Sequence, residues 1–301
     1  MTPLTDHPEV AVVLGRCDEV RAEVYVRLAD DAARLVGTIT GPRRGRDTTL
    51  PVTARLVPLD GRTPNTEPVS RAILTEPAYW TPDLPNLYRV EAAAEGCTRR
   101  IDVLFGLRRL GVRGRSFWLD GRRWVPRAAA VADLGPLKAA TLGALLSGVT
   151  EADLARADAE GLAVLPVLGG EDLTAARVAA LARHPAAMLA IVREDVSSDT
   201  VAAVIGVRGT MLIGRAVDGH AAPPPSVAPF DFLVVTLPAG GVPHAAWRTP
   251  PTVPLVAWRC DPASVSTARA ACDALQRDLA AWRLPAASDG PPWDWAGYCV
   301  G

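Results

Sequence analysis

Apolar and charged residues alternate at period two over residues 20–28, and more loosely over 33–40. Successive side chains of a strand face opposite sides, so this alternation predicts antiparallel strands with one wet face and one dry face. Residues 50–59, closed by Asp60-Gly61, and residues 69–74 repeat the pattern. Short strands separated by Gly, Pro and Asp over roughly 100 residues predict a β-sandwich of immunoglobulin-like type.

After Trp124 the rhythm changes. Apolar runs at 125–131, 162–168, 188–192, 210–214, 231–237 and 253–258 read as buried strands, with a last strand inside 295–300. Residues 134–140 form a short helix or turn, and 141–146 is either another strand or the continuation of that helix. Periodicity does not separate the two in so short an apolar run. Thr150-Glu151-Ala152-Asp153 places an N-cap and two acids at the start of a helix, and Gly161 closes it. Further helices are expected over 172–183, near 200–204 and over 265–282, the last being the longest. Eight strands with intervening helices would make a (β/α)₈ barrel, but ~180 residues fall short of the ~200 such barrels need. A compact or degenerate (β/α)₈ TIM barrel is therefore expected, with some helices reduced to loops. The expected division is a sandwich over 1–117 and a reduced barrel over 118–301.

Between the two halves lies a distinctive seam. It opens with Tyr79-Trp80-Thr81-Pro82-Asp83-Leu84-Pro85-Asn86-Leu87-Tyr88 and continues through Phe105-Gly106-Leu107-Arg108. It ends in the run from Ser116 to Arg127, where Asp120-Gly121 sits between aromatic-rich stretches as a two-residue hairpin signal. In order, residue type and spacing these segments resemble the family-2 glycoside hydrolases, the group of β-galactosidases, β-glucuronidases and β-mannosidases. There W-S/T-P-x-x-P-x-L-Y, then F-G-F-R, then a hairpin F-x-L-N-G-K-x-x-x-x-R join an immunoglobulin-like sandwich to a barrel.

The resemblance implies two catalytic carboxylates at the C-terminal ends of barrel strands, about 5 Å apart in a retaining glycosidase. The family's acid/base glutamate follows strand four in a segment H-P-S-x-x-x-W-S-x-G-N-E. Here His184-Pro185 leads to Arg193-Glu194-Asp195, which makes Glu194 or Asp195 the matching carboxylate. The family's nucleophile ends strand seven in K-P-x-x-x-x-E, and Val253-Pro254 leads instead to Arg259. A cationic guanidinium is no nucleophile. Asp261 is the nearby acid that would have to replace it. An ion pair from Arg259 to Glu194 or Asp195, plugging the barrel mouth, is the expected consequence. For substrate contacts, Trp247, Trp258, Trp293 and Trp295 are expected near the C-terminal loops of the last strands, with Arg259 beside them. Aromatic faces there would stack on sugar rings, or the same tryptophans are ordinary filler over the barrel core.

Composition narrows the alternatives. The formal net charge is -1, which gives no bulk attraction to nucleic acid or to an acidic membrane. Lys138 is the one lysine among 32 basic residues, a bias that discounts clusters such as Arg43-Arg44-Gly45-Arg46 as phosphate sites. Five scattered cysteines without a C-x-x-C pair read as reduced thiols. His7, His184, His220 and His244 stand apart from ligand spacing, so no metal and no cofactor are expected. No basic and apolar leader is visible and no apolar run reaches ~20 residues. A cytoplasmic protein is expected, unless the chain is cut from a longer exported one.

These features favour a glycosidase relative without hydrolysis, a pseudoenzyme acting as a carbohydrate-binding or protein-interaction module. The alternatives are an active β-glycosidase with Glu194 or Asp195 as acid/base, and a purely structural domain of an assembly.

Overall fold

The computed structural model describes residues 10–28, 35–45, 50–59, 70–94, 100–131, 133–260, 264–283 and 293–301. It divides into two compact units, Met1–Arg109 with Arg183–Pro185, and Leu110–Ala182 with Ala186–Gly301. The second unit begins ahead of Phe117 because Leu110–Arg113 pairs with Ser116–Leu119.

The first unit contains β1 (Val10–Cys17), β2 (Arg21–Leu28), β3 (Leu35–Arg43), β4 (Val52–Pro58), β5 (Ser70–Thr75), β6 (Leu87–Ala94) and β7 (Arg100–Phe105). Their order is β1-β2-β5-β4-β3-β6-β7, and every pair is antiparallel. β4 serves two neighbours in turn. Its first five residues pair with β3 and its last two with β5, so it passes from one half of the sheet to the other. The alternation in β2 buries Ala22, Val24 and Val26 together with Ile39, Leu56, Leu74, Val90 and Ile101 in one core. Ser70 is polar yet buried. Its hydroxyl donates to the Leu35 carbonyl at 2.8 Å and accepts from the Leu35 N–H at 3.1 Å, so both halves are also tied by a satisfied polar link.

The turn at 79–87 is held by its own side chains. Asn86 Nδ2 donates to the Tyr79 carbonyl at 2.8 Å, and the Tyr88 hydroxyl accepts from the Ala78 N–H at 2.8 Å. Arg108 is buried and donates from Nη1 to the Pro185 carbonyl at 2.5 Å. Gly106 permits this close packing, since a Cβ there would lie 2.6 Å from Pro185 Cγ.

The second unit opens with β8 (Leu110–Arg113), β9 (Ser116–Leu119) and β10 (Arg122–Trp124) as a three-stranded antiparallel sheet. Asp120 and Gly121 turn β9 into β10 with φ of 47° and 76°. Two positive φ values are what the tight hairpin requires, and Asp-Gly supplies them at low cost. The barrel follows as β11 (Arg127–Ala129), β12 (Gly143–Ser147), β13 (Val164–Leu168), β14 (Leu189–Val192), β15 (Leu212–Asp218), β16 (Phe232–Leu237), β17 (Leu255–Arg259) and β18 (Gly297–Val300). All eight are parallel, and β18 pairs with β11 to close the ring.

The helical layer is thinner than in a full (β/α)₈ barrel. Among the described residues it consists of α1 (Glu151–Glu160), α2 (Ala175–Ala182), α3 (Ser198–Val204) and α4 (Val265–Arg283). Turns replace a helix after β11, and irregular chain with one short 3₁₀ turn follows β15 and β16. The ambiguous run at 141–146 is strand β12. β15 extends four residues beyond the expected end at Gly214.

The N-terminal end of the barrel is floored by aromatic packing. Phe117 of β9 and Phe232 of β16 meet edge to face, with centroids 5.3 Å apart and planes at 82°. Gly214 on the neighbouring strand leaves room for that ring, since a Cβ there would lie 2.3 Å from Phe232 Cε2.

Candidate functional site

Residues of a barrel strand alternate between the interior and the helical layer. Arg127 of β11 donates to Gln276 of α4 and Arg259 of β17 donates to Asp278 of α4, which assigns both to the outer face. Register then assigns the inner face: Ala128 pairs with Cys299, Cys299 with Trp258, Trp258 with Thr236 and Thr236 with Asp218. At the C-terminal mouth the inward set therefore includes Asp218, Thr236 and Trp258, each at or next to the end of its strand.

Arg259 does not plug this mouth. It is 8% exposed, its Nη1 lies 2.8 Å from Asp278 Oδ2, and it makes no ion pair with Glu194 or Asp195. The expectation failed by one residue of register, because the inward position at this strand end is Trp258. The Trp258 indole N–H donates to the Gly301 carbonyl at 2.8 Å, which holds the half-buried ring in one orientation.

Glu194 and Asp195 lie in the loop after β14, and both are exposed. Asp195 approaches Arg193 at 3.7 Å, a solvent-screened pair of small energetic weight. The Glu194 carbonyl accepts from Arg215 at 3.1 Å. Asp261 lies outside the described residues.

Asp218 was not anticipated. It is exposed, ends β15 one strand from Glu194, and its Oδ1 accepts the His220 N–H at 2.9 Å. The available signal was Asp218-Gly219 closing a run from Met211 to Val217 that is apolar apart from Gly214 and Arg215, which marks a strand end later than Gly214.

Three of the four tryptophans present no open face at the mouth. Trp293 and Trp295 precede β18 and so lie at its N-terminal end, 7% and 4% exposed, with ring centroids 5.4 Å apart. Trp247 precedes β17 in a 3₁₀ turn and is wholly buried, its indole N–H bonded to the Ala221 carbonyl at 2.8 Å. These rings fill space around the barrel and offer no stacking face at the C-terminal end. Trp258 is the member of the set that remains there.

Among the described residues no group of three or more His, Cys, Asp or Glu gathers as a metal site. His244 caps its own turn, with Nδ1 accepting the Ala246 N–H at 3.1 Å. Among the described residues no helix is long and apolar enough to cross a membrane.

No protein-family model and no curated protein matches the chain. Solved structures do match. β-Glucuronidase 2 of Bacteroides uniformis, covalently bound to cyclophellitol-6-carboxylate aziridine, gives a TM-score of 0.59 at 14% identity over 97% of this chain and 45% of that one. A glycosyl hydrolase family 2 member from Bacteroides cellulosilyticus gives 0.64 at 16% identity over 98% and 45%. The β-D-glucuronidase of Dictyoglomus thermophilum gives 0.62 at 12% identity over 97% and 61%. The chain thus spans about half the length of these proteins. At such identities the likeness is one of fold: a β-sandwich and a closed eight-stranded parallel barrel, as in family-2 glycosidases.

Proposed function

We propose that this chain is a family-2 glycoside hydrolase-like protein that has lost hydrolysis and recognises carbohydrate at the C-terminal mouth of its barrel. One observation carries the reading. At the end of β17 the inward residue is Trp258, and Arg259 turns outward to Asp278, so among the described residues this strand end presents no carboxylate opposite Glu194 and Asp195. Retaining hydrolysis needs two carboxyl groups converging on one anomeric carbon. Binding needs less: a fixed aromatic face, here Trp258, and acceptors for sugar hydroxyls, here Asp218, Glu194 and Asp195. Recognition of a protein partner is the second reading, favoured by the burial of Trp247, Trp293 and Trp295, which leaves one ring rather than a platform.

The test is turnover of a panel of aryl β-glycosides by the protein beside Glu194→Gln, Asp195→Asn and Asp218→Asn variants. No turnover above the variants is expected. Activity abolished by any one substitution would sink the reading and identify an acid/base residue. A glycan array read with wild type and Trp258→Ala then separates the two binding roles. Glycan capture lost in the variant supports the sugar site, and its absence in wild type favours a protein partner.

A further inference from the structure

At the opposite, N-terminal end of the barrel a cavity of about 480 Å³ is bounded by Arg115, Ser116, Arg123, Thr252, Trp293 and Asp294. Its two cations differ in how they are held. Arg115 donates from Nε to the Pro251 carbonyl at 2.9 Å and from Nη2 to the Pro250 carbonyl at 3.2 Å. The backbone ahead of β17 thereby fixes the guanidinium, while Nη1 remains as a further donor. Arg123 is held loosely, 3.9 Å from Asp294 Oδ2, and both groups are well exposed. An exposed pair of this kind contributes little and exchanges readily. Ser116 and Thr252 add hydroxyl donors, and Trp293 adds apolar wall. Among the described residues the lining therefore carries two guanidinium groups and two hydroxyls against one carboxylate.

The geometry points to a binding site for a small organic anion, a carboxylate or phosphate monoester on an apolar body. Arg115 is the preorganised cation, Arg123 swings from Asp294 to the ligand, and Trp293 meets the ligand's apolar part. The formal net charge of -1 gives no general pull on anions, so saturable binding would be local to this cavity. The site is independent of the C-terminal mouth.

The test is calorimetric titration of the full chain with phenyl phosphate and with benzoate at fixed ionic strength, and with benzyl alcohol as the uncharged control. Arg123→Gln and Asp294→Asn change exposed groups, and thermal melts of each check that folding is intact. Saturable binding of at least one anion is expected, about tenfold weaker in Arg123→Gln, where one charge-assisted contact is lost. Asp294 Oδ1 also lies 3.5 Å from Arg283 Nη1, so Asp294→Asn removes a carboxylate that competes for both cations and should tighten binding severalfold, a gain that Arg123→Gln in the same background should largely cancel. Stronger binding of phenyl phosphate than of benzoate would identify the phosphate monoester, and the reverse the carboxylate. No saturable binding of either anion, equal binding of benzyl alcohol, or affinities unchanged in both variants would overturn the proposal.

Discussion

Arg259 Nη1 donates to Asp278 Oδ2 at 2.8 Å, joining the end of β17 to the middle of α4 on the outer side of the barrel wall. The guanidinium Nε and Nη2 are buried with no hydrogen-bond partner among the described residues. Asp278, by contrast, is about half exposed. The pair is thus a buried cation whose one compensating contact is partly wet. Asp278→Ala should destabilise the fold by about 1–3 kcal/mol, because it strands the charge. Arg259→Met removes charge and orphaned donors together and should cost less. Urea denaturation of both variants checks the order, and a more damaging Arg259→Met would refute this account of the pair.

Gly214 is required by the ring of Phe232 and by little else. A Cβ would meet three atoms of that ring within 2.5 Å, and Phe117 holds the ring from below. Gly214→Ala should therefore cost about 1–3 kcal/mol or more through overpacking. Combining it with Phe232→Leu should give a smaller loss than the sum of the two single changes. Strictly additive losses in thermal melts would show that the clash relaxes elsewhere.

Local chemistry was legible where it is self-contained. Thr150, Asp153 and Gly161 marked both ends of α1, and the period-two run in β2 identified Ala22, Val24 and Val26 as core. Asp120-Gly121 announced the β9–β10 turn. What escaped depends on where the chain has already gone. Arg259 and Trp258 differ by one position, and in a strand one position reverses the face. Trp293 and Trp295 lie at the beginning of β18 rather than beyond the end of β17, and composition alone does not show at which end of the barrel a connecting segment lies. Asp218 was hidden by a strand that runs four residues past its expected end.

The buried thiols offer an independent check on the α4 and β18 packing. Burial pushes the Cys272 thiol up to about 11, and its Sγ lies 3.7 Å from the Ala128 and Tyr298 carbonyl oxygens. Burial raises the Cys299 thiol further still. The thiolate is the reactive form. Iodoacetamide at pH about 8 should accordingly modify exposed Cys260 in the folded protein and spare Cys272 and Cys299 until denaturant is added. Peptide mass spectrometry reads all three sites, and rapid native labelling of Cys272 would contradict the packing of α4 on the barrel.

The capping box of α1 should leave a signature in the acid limb of stability. The Thr150 hydroxyl donates to Asp153 Oδ2 at 2.7 Å and the Thr150 N–H donates to it at 3.0 Å. These bonds, the hydroxyl's first, hold the Asp153 carboxyl below its ordinary value. Because folding lowers this pKa, the carboxylate's contribution is complete above the unfolded value of about 4 and is lost as pH falls through the folded one. Thr150→Ala also exposes the Asp153 N–H, which the hydroxyl accepts at 3.2 Å, and a lost cap of this type costs about 1 kcal/mol at neutral pH. The gap between wild type and Thr150→Ala should be widest near pH 6–7 and narrow below about pH 4, as protonation removes the charge that both donors serve. Urea midpoints measured across that range decide it. A gap that stays constant with pH would mean that the neutral hydrogen bond to the Asp153 N–H carries the whole effect.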